Sequence, residues 1–204
     1  MRPAMFSRRI LLIGLPALTV VLTACSSPST KPAVTTSTSH TPARSSTTGS
    51  PPTTSIPICT TSHLTISSGL SQGATGHIST VLLFANSGTT TCNITGYPGL
   101  AGLNASGTQV VQAQRTLRGF TGGLAQGATA PPVVDLTPNQ TASALVEGTD
   151  VPTGNATSCP SYPAFLVTPP NETHSVQLSL ASAFPGCSQI QIHPVVPGTS
   201  GSSS

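Results

Sequence analysis

One serine in this sequence lies in a pattern known from hydrolases. Ser71 is the central residue of Gly-Leu-Ser-Gln-Gly at positions 69–73, which fits the Gly-x-Ser-x-Gly pattern of a nucleophile elbow. That pattern works at a strand-to-helix turn, where the serine is exposed beside oxyanion donors. Here a second strand-forming segment follows, so we interpret residues 69–73 as a hairpin loop. A triad would also need Asp135 with His174 or His193, and nothing in their spacing supports one.

Four histidines are the next candidates, as metal ligands. They fall on separate predicted strands, and none forms a His-x-x-x-His pair: His63, His77, His174 and His193. Carboxylates are also too few to complete an oxygen-rich site. We therefore interpret these residues as strand histidines and predict no metal and no cofactor.

The segment 115–124 is the most distinctive candidate for binding. It holds the only two basic residues after position 57, Arg115 and Arg118, together with Phe120 and a glycine pair. Two guanidinium groups beside an exposed aromatic ring could bind an anionic group or an envelope partner protein. The alternative is a solvated strand edge, where positive charge discourages pairing between molecules.

The cysteines point to an oxidising compartment. Five are odd for an exported chain, and lipid on Cys25 would leave four to pair. Three pairings of those four are possible, and we favour Cys59–Cys92 with Cys159–Cys187, because the spacings are similar and each bridge would tie neighbouring strands. A four-cysteine zinc site is the alternative, and it lacks any Cys-x-x-Cys pair.

The N-terminus follows the plan of a lipoprotein signal peptide, predicted over residues 1–24. Three arginines precede an uncharged apolar segment, 10–22, which is too short for a transmembrane helix of about 20 residues. It ends in Leu-Thr-Ala-Cys at 22–25, which is similar to a lipobox. We therefore predict cleavage before Cys25, a diacylglyceryl group on its thiol, and anchoring on the extracytoplasmic face of the cell membrane. An ordinary signal peptide cut near Ala24 is the alternative.

Without the three signal-peptide arginines the chain is formally neutral. Four basic residues remain against four acidic ones: Lys31, Arg44, Arg115 and Arg118 against Asp135, Glu147, Asp150 and Glu172. Nucleic-acid binding needs a basic face, so no nucleic-acid partner is predicted.

Composition divides the mature chain into a linker, a domain and a tail. Positions 26–57 contain nine Ser, nine Thr and six Pro, and such a segment buries too little apolar surface to fold. We predict a disordered linker over 25–57, one folded domain over 58–197 and a disordered tail over 198–204.

The domain has a β pattern throughout. A dense apolar stretch at 75–85 predicts a central strand, and period-two alternation marks 174–180 and 189–193. Further strands are predicted at 64–68, 100–104, 109–114, 133–136, 141–147 and 164–167. Many short strands with turn residues between them favour an all-β fold, a single immunoglobulin-like β-sandwich with two disulfides.

Several of these features together resemble a known family. The most specific is Cys-x-x-x-Gly-Tyr-Pro-Gly at 92–99; the others are Cys59, Asn-Ser-Gly at 86–88, Val-Asp-Leu-Thr-Pro at 134–138, and the late pair Cys159 and Cys187. The order is similar to that of the actinobacterial lipoprotein domain of unknown function 4232. That resemblance implies export and often a lipid anchor, and it supplies no catalytic residue.

Together these features favour a non-enzymatic envelope lipoprotein with a binding or interaction domain. The alternatives are an envelope hydrolase that uses Ser71 and a carbohydrate-binding module. A module of that kind would need exposed aromatic rings, and the domain has few aromatic residues.

Overall fold

The computed structural model describes residues 55–203. The predicted signal peptide, Cys25 and nearly all of the predicted linker lie outside the described residues. None of the helical structure described is long and apolar enough to cross a membrane.

The described chain is built from β-strands, with one short 3-10 turn at Thr61–His63 before the first. The strands are β1 (Leu64–Ala74), β2 (His77–Asn86), β3 (Cys92–Thr95), β4 (Gly99–Leu103), β5 (Gln109–Gln112), β6 (Gln114–Arg115), β7 (Val133–Leu136), β8 (Thr141–Thr149), β9 (Ser161–Thr168), β10 (Val176–Pro185), β11 (Gln191–Ile192) and β12 (Val196–Pro197). Each strand predicted from the sequence overlaps one of these, and the predicted all-β sandwich is confirmed.

The larger sheet has the strand order β1-β2-β8-β11-β6. The short strand β12 also pairs with β8 and is the sixth strand of this sheet. Strand β2 is central, as predicted, and pairs with β1 on one side and β8 on the other. Its run of β-branched and apolar residues suits a strand inside a sheet. The β1–β2 hairpin turns at Thr75 and Gly76, whose φ angles are 49° and 81°. Two successive positive φ values match the twist that a two-residue hairpin needs.

A second sheet, of order β10-β9-β4-β5, supplies the other side of the core, and β3 with β7 forms a two-stranded sheet. One cluster of buried apolar residues joins all three sheets, including Phe84 and Val146 from the larger sheet, Phe165 from the second and Ile94 from the third. The rings of Phe165 and Phe184 lie 5.4 Å apart at 60°, a favourable tilted arrangement.

Both favoured disulfides are present, Cys59–Cys92 and Cys159–Cys187. The first lies within the apolar core, where both cysteines are buried. The second joins the segment before β9 to the segment after β10, at a partly exposed position.

Two local predictions differ from the structure. Residues 69–73 are not a hairpin loop but lie inside β1, which extends to Ala74 before the turn. Residues 198–203, predicted to be disordered, run beside residues 123–125: the Ser203 amide donates to the Gly123 carbonyl, and the Ala125 amide donates to the Ser203 hydroxyl. Composition suggested disorder because serine and glycine bury little apolar surface, but this tail is held by hydrogen bonds instead.

Candidate functional site

The face of the larger sheet that points away from the second sheet is covered by residues 119–124, called here the glycine loop. Along a strand, successive side chains alternate between the two faces. Val146 of β8 contributes to the core, so its neighbours Leu145 and Glu147 point to the opposite face. The glycine loop and the tail lie against that face, where Leu145 contacts both Gly122 and Gly201.

Glu147 is the centre of this arrangement. Its carboxylate is almost fully buried and accepts hydrogen bonds from the Phe120 amide (2.8 Å), the Thr121 amide (3.0 Å) and the Thr121 hydroxyl (3.0 Å). Two histidines approach the same group, His193 Nε2 at 3.3 Å and His77 Nδ1 at 3.4 Å. A buried carboxylate is tolerated when donors surround it, so Glu147 serves as the attachment point of the loop.

These contacts also set the acidity of Glu147. Burial raises the pKa of its carboxyl group, but the hydrogen bonds from Thr121, Phe120 and His193 lower that pKa by more. The net pKa lies below the ordinary value of 4.5. The site therefore favours the ionised carboxylate, the form that accepts hydrogen bonds on both oxygens.

Glycine is required where the loop meets the sheet. A Cβ atom at Gly119 would overlap Oε2 of Glu147, and one at Gly122 would overlap the Ser202 hydroxyl. Gly123 has a φ of 98°, and a Cβ there would lie 2.7 Å from the Arg118 Cα. The three glycines thus allow the backbone to approach the carboxylate and the tail directly.

The histidine beneath the loop is fully enclosed. His193 is 0% exposed, and its Nδ1 lies 3.1 Å from both the hydroxyl and the carbonyl oxygen of Thr116. Its backbone amide donates to the Leu145 carbonyl. His193 therefore links Thr116, which precedes the glycine loop, to the Glu147 carboxylate.

The most exposed part of the site is an aromatic stack. The Phe120 ring lies on the His77 imidazole with centroids 4.0 Å apart and planes 14° from parallel. Phe120 is nevertheless 63% exposed. The hydrogen bond from the Phe120 amide to Glu147 holds the backbone at the surface, and the stack on His77 supports the ring there.

The structure separates the three residues predicted to form a binding site. The Arg118 guanidinium donates to three carbonyl groups of its own segment, at Leu124, Ala125 and Ala128, so it braces the loop. Arg115 pairs with Ile192, a core residue, and lies on the other face from Glu147. Only Phe120 remains at the exposed site, and His77 is its neighbour there.

The other candidate residues lie apart from one another. Ser71 Oγ is 2.9 Å from the Thr80 hydroxyl across the β1–β2 pair. His63 lies beside Thr60, and Asp135 lies on β7. Within residues 55–203, no cluster of three or more His, Cys, Asp or Glu side chains could hold a metal ion.

Sequence reasoning missed Glu147 as the organising residue. One signal was available, because Glu147 is the only charged side chain in the apolar strand Thr141–Thr149. A lone carboxylate in a buried strand requires donors from elsewhere in the chain. The sequence did not show that those donors come from the glycine loop.

One of the three comparisons with known proteins found a match, and it was with a family model. No curated protein and no solved structure matches the chain. One family model matches, over residues 59–196, and its description is "Domain of unknown function". The match covers more than half of the chain and spans β1 to β11. The protein therefore belongs to the DUF4232 family.

Proposed function

We propose that this protein is a cell-envelope lipoprotein, anchored through lipid on Cys25, whose domain binds a ligand or partner without catalysis at the surface around Phe120. One observation carries the binding proposal: a ring that is 63% exposed is held by a loop built on a buried carboxylate. Fixing an exposed aromatic side chain removes an entropic cost of binding, which is the usual benefit of a preorganised contact.

The anchoring proposal rests on the N-terminal sequence. Arginines, a short apolar segment and Leu-Thr-Ala-Cys at 22–25 occur in the order that a lipoprotein signal requires. Two acyl chains on Cys25 would suffice for stable attachment, whereas one would give only reversible binding. The Ser/Thr/Pro-rich residues that follow would let the domain reach targets beyond the membrane surface.

The non-catalytic part of the proposal is supported by how the reactive groups are used. Ser71 contacts a threonine hydroxyl, and no histidine donates to or accepts from it among the described hydrogen bonds. Glu147 and His193 are both buried beneath the glycine loop. A turnover that survives purification and disappears in a single variant such as Ser71→Ala would contradict this part.

The anchor is tested by intact mass and peptide mapping of protein purified from its native membrane. A diacylglyceryl mass on Cys25 is expected, and Cys25→Ala should move the protein to the soluble fraction. Ser26→Ala, one residue further on, is the control and should stay with the membrane. An unlipidated wild-type protein would overturn the proposed anchor.

The binding surface is tested with the mature chain carrying Cys25→Ser, which cannot be lipidated and therefore reports only on the domain. Retention of this chain on isolated envelopes is compared with that of the same chain carrying Phe120→Ala. A loss on the order of tenfold is expected, as for a buried aromatic contact. Val133→Ala, at another exposed apolar residue, is the matched control. Equal retention of all three chains would overturn the proposed surface.

A further inference from the structure

We propose that the surface around Phe120 and His77 binds an uncharged saccharide, with a sugar ring lying on the Phe120 ring. This inference rests on the proposed function and names the ligand class of the same site. One face of Phe120 is covered by His77, and the ring is still 63% exposed. A flat apolar surface available from one side suits the C–H face of a sugar ring, which is apolar although its rim is polar.

The side chains beside this stack supply the polar part of such a site. A cleft of about 60 Å³ begins at His77 and is lined by residues that include Glu147, Thr149, Ser188, Gln189 and Gln191. Gln189 Nε2 already donates to the Gln112 carbonyl, and Gln191 Oε1 already accepts from the Thr116 hydroxyl. The groups left for a sugar include the hydroxyls of Thr149 and Ser188 and the NH₂ group of Gln191, which together can donate and accept, as sugar hydroxyls do. The volume is about that of two water molecules, so the cleft would hold a substituent such as a hydroxymethyl group while the sugar ring stays on Phe120.

The charges at the site favour an uncharged ligand over the anionic one that two arginines suggested. Arg118 already donates to three carbonyl groups, and Arg115 belongs to the other face of the sheet. The carboxylate in contact with the stack is that of Glu147, which is satisfied by its own donors and would repel an anion. The Nε and Nη2 donors of Arg118 are therefore already used within its own segment, and the carboxylate beside the stack disfavours an acidic ligand.

The site is also built before any ligand arrives. The amides of Phe120 and Thr121 are both bonded to Glu147, and Gly123 and Ala125 are bonded to the tail. The backbone at Phe120 consequently has little freedom left to lose on binding, and the ring already lies on His77. A single aromatic contact can contribute usefully to affinity under that condition.

The test is a titration of the mature Cys25→Ser chain, followed by amide chemical shifts. Chitotetraose and maltotetraose are the uncharged probes, and a hyaluronan tetrasaccharide is the acidic one. At least one uncharged probe should shift the amides of Phe120, Thr121, Gln189 and Gln191. Phe120→Ala should weaken that binding about tenfold or more, whereas Phe120→Tyr should retain it. Val133→Ala, which alters an exposed residue elsewhere, should bind as the parent chain does.

The outcomes separate this inference from the proposed function. No shift with either uncharged probe at millimolar concentration would overturn the saccharide inference, and so would tighter binding of the hyaluronan probe. If envelope retention still depended on Phe120 in that case, the surface would bind a protein and the proposed function would stand. If retention did not depend on Phe120 either, both proposals would fail.

Discussion

The backbone amide of Phe120 lies 2.8 Å from Oε1 of Glu147, although the two residues are 27 positions apart in the chain. This hydrogen bond ties an exposed aromatic ring to a buried strand of the larger sheet. The neighbouring amide and hydroxyl of Thr121 bind the second oxygen of the same carboxylate. The loop therefore depends on one side chain, and its stability should follow the state of that side chain.

Replacing Glu147 by glutamine should destabilise the domain. The amide keeps the shape of the carboxylate but places an NH₂ group against N–H donors, so at least one buried donor loses its acceptor. We expect a loss of about 2–3 kcal/mol in the free energy of unfolding, measured by urea denaturation with an unchanged m-value. Asp135→Asn, an equivalent change at an exposed residue, should cost less than about 0.5 kcal/mol. Similar losses in both variants would contradict the role assigned to Glu147.

Acid should weaken the domain through two carboxyl groups. Hydrogen bonds from the Thr61 amide and hydroxyl lower the pKa of Glu172, and the pKa of Glu147 is lowered as described above. A lowered folded-state pKa stabilises the fold above the unfolded value, near 4.5, and that contribution is lost as the pH falls through the folded value. Stability should therefore decline below about pH 4.5 in the wild type.

The variants assign this acid dependence to its sources. Glu147→Gln should show a shallower decline than the wild type between about pH 4.5 and 2, because one of the two groups no longer titrates. Thr61→Ala, which removes one donor to Glu172, should reduce the remaining slope. If the stability of Glu147→Gln fell with pH in parallel with that of the wild type, the Glu147 carboxyl group would have the same pKa in the folded and unfolded states.

Alanine at Gly119 should disrupt the loop. The new Cβ would overlap Oε2 of Glu147, and that oxygen cannot move without breaking its bonds to Thr121. We expect a loss of about 1–3 kcal/mol, the range for overpacking, together with weaker protection of the Phe120 amide in hydrogen exchange. Gly73→Ala is the control, because its Cβ would make only ordinary contacts at 3.7 Å. Equal stability of the two variants would show that the loop can lift from the sheet at no cost.

Removing the tail after Pro197 should loosen the loop without unfolding the domain. The Ser202 and Ser203 hydroxyls accept hydrogen bonds from the amides of Gly123 and Ala125, and the Ser143 hydroxyl accepts from the Gly201 amide. Exchange at Gly123 and Ala125 should accelerate by at least tenfold, whereas the β2 amides should keep their protection. A chain that lacks only Ser204 is the control. Unchanged exchange at both loop amides would mean that the tail has no stabilising role.

The two disulfides should contribute unequally. Their sequence separations of 33 and 28 predict similar entropic contributions of about 3–4 kcal/mol. Cys59 and Cys92 are also buried in the core, so a double replacement by alanine there should leave a cavity and cost more. Mild reduction should open Cys159–Cys187 first, because its cysteines are partly exposed, as mass mapping after alkylation would show. The opposite order would contradict this assignment.

Local pattern predicted much of the fold. Period-two alternation located β10 and β11, and the apolar stretch located β2. Asn139 and Asn171, which lie between strands, have the positive φ values of 67° and 62° that tight turns favour. The favoured disulfide pairing was also correct. It was chosen because the two spacings are similar and because each bridge would tie neighbouring strands. The strands and turns depend on residues that are close in sequence, and the disulfides required only a choice among three possible pairings.

The candidate site depends on contacts between distant residues. The sequence showed that 115–124 was unusual and named Phe120, but it also grouped Arg115 and Arg118 with that ring. Strand register then placed Arg115 on the opposite face, and Arg118 was used to brace its own loop. Glu147, His77 and His193 came together only because β8, β2 and the segment after β11 are neighbours in one sheet.

The sequence by itself determined that this chain has strands and four cysteines suited to pairing, because those are properties of composition and short-range period. Its N-terminus predicts a lipoprotein signal on the same kind of local evidence. The tertiary structure decided which polar groups are buried and what satisfies them. A buried carboxylate is stable only where several donors converge, and the groups around Glu147 come from segments that are distant in sequence. Convergence of that kind is set by strand order and register, which no local pattern encodes.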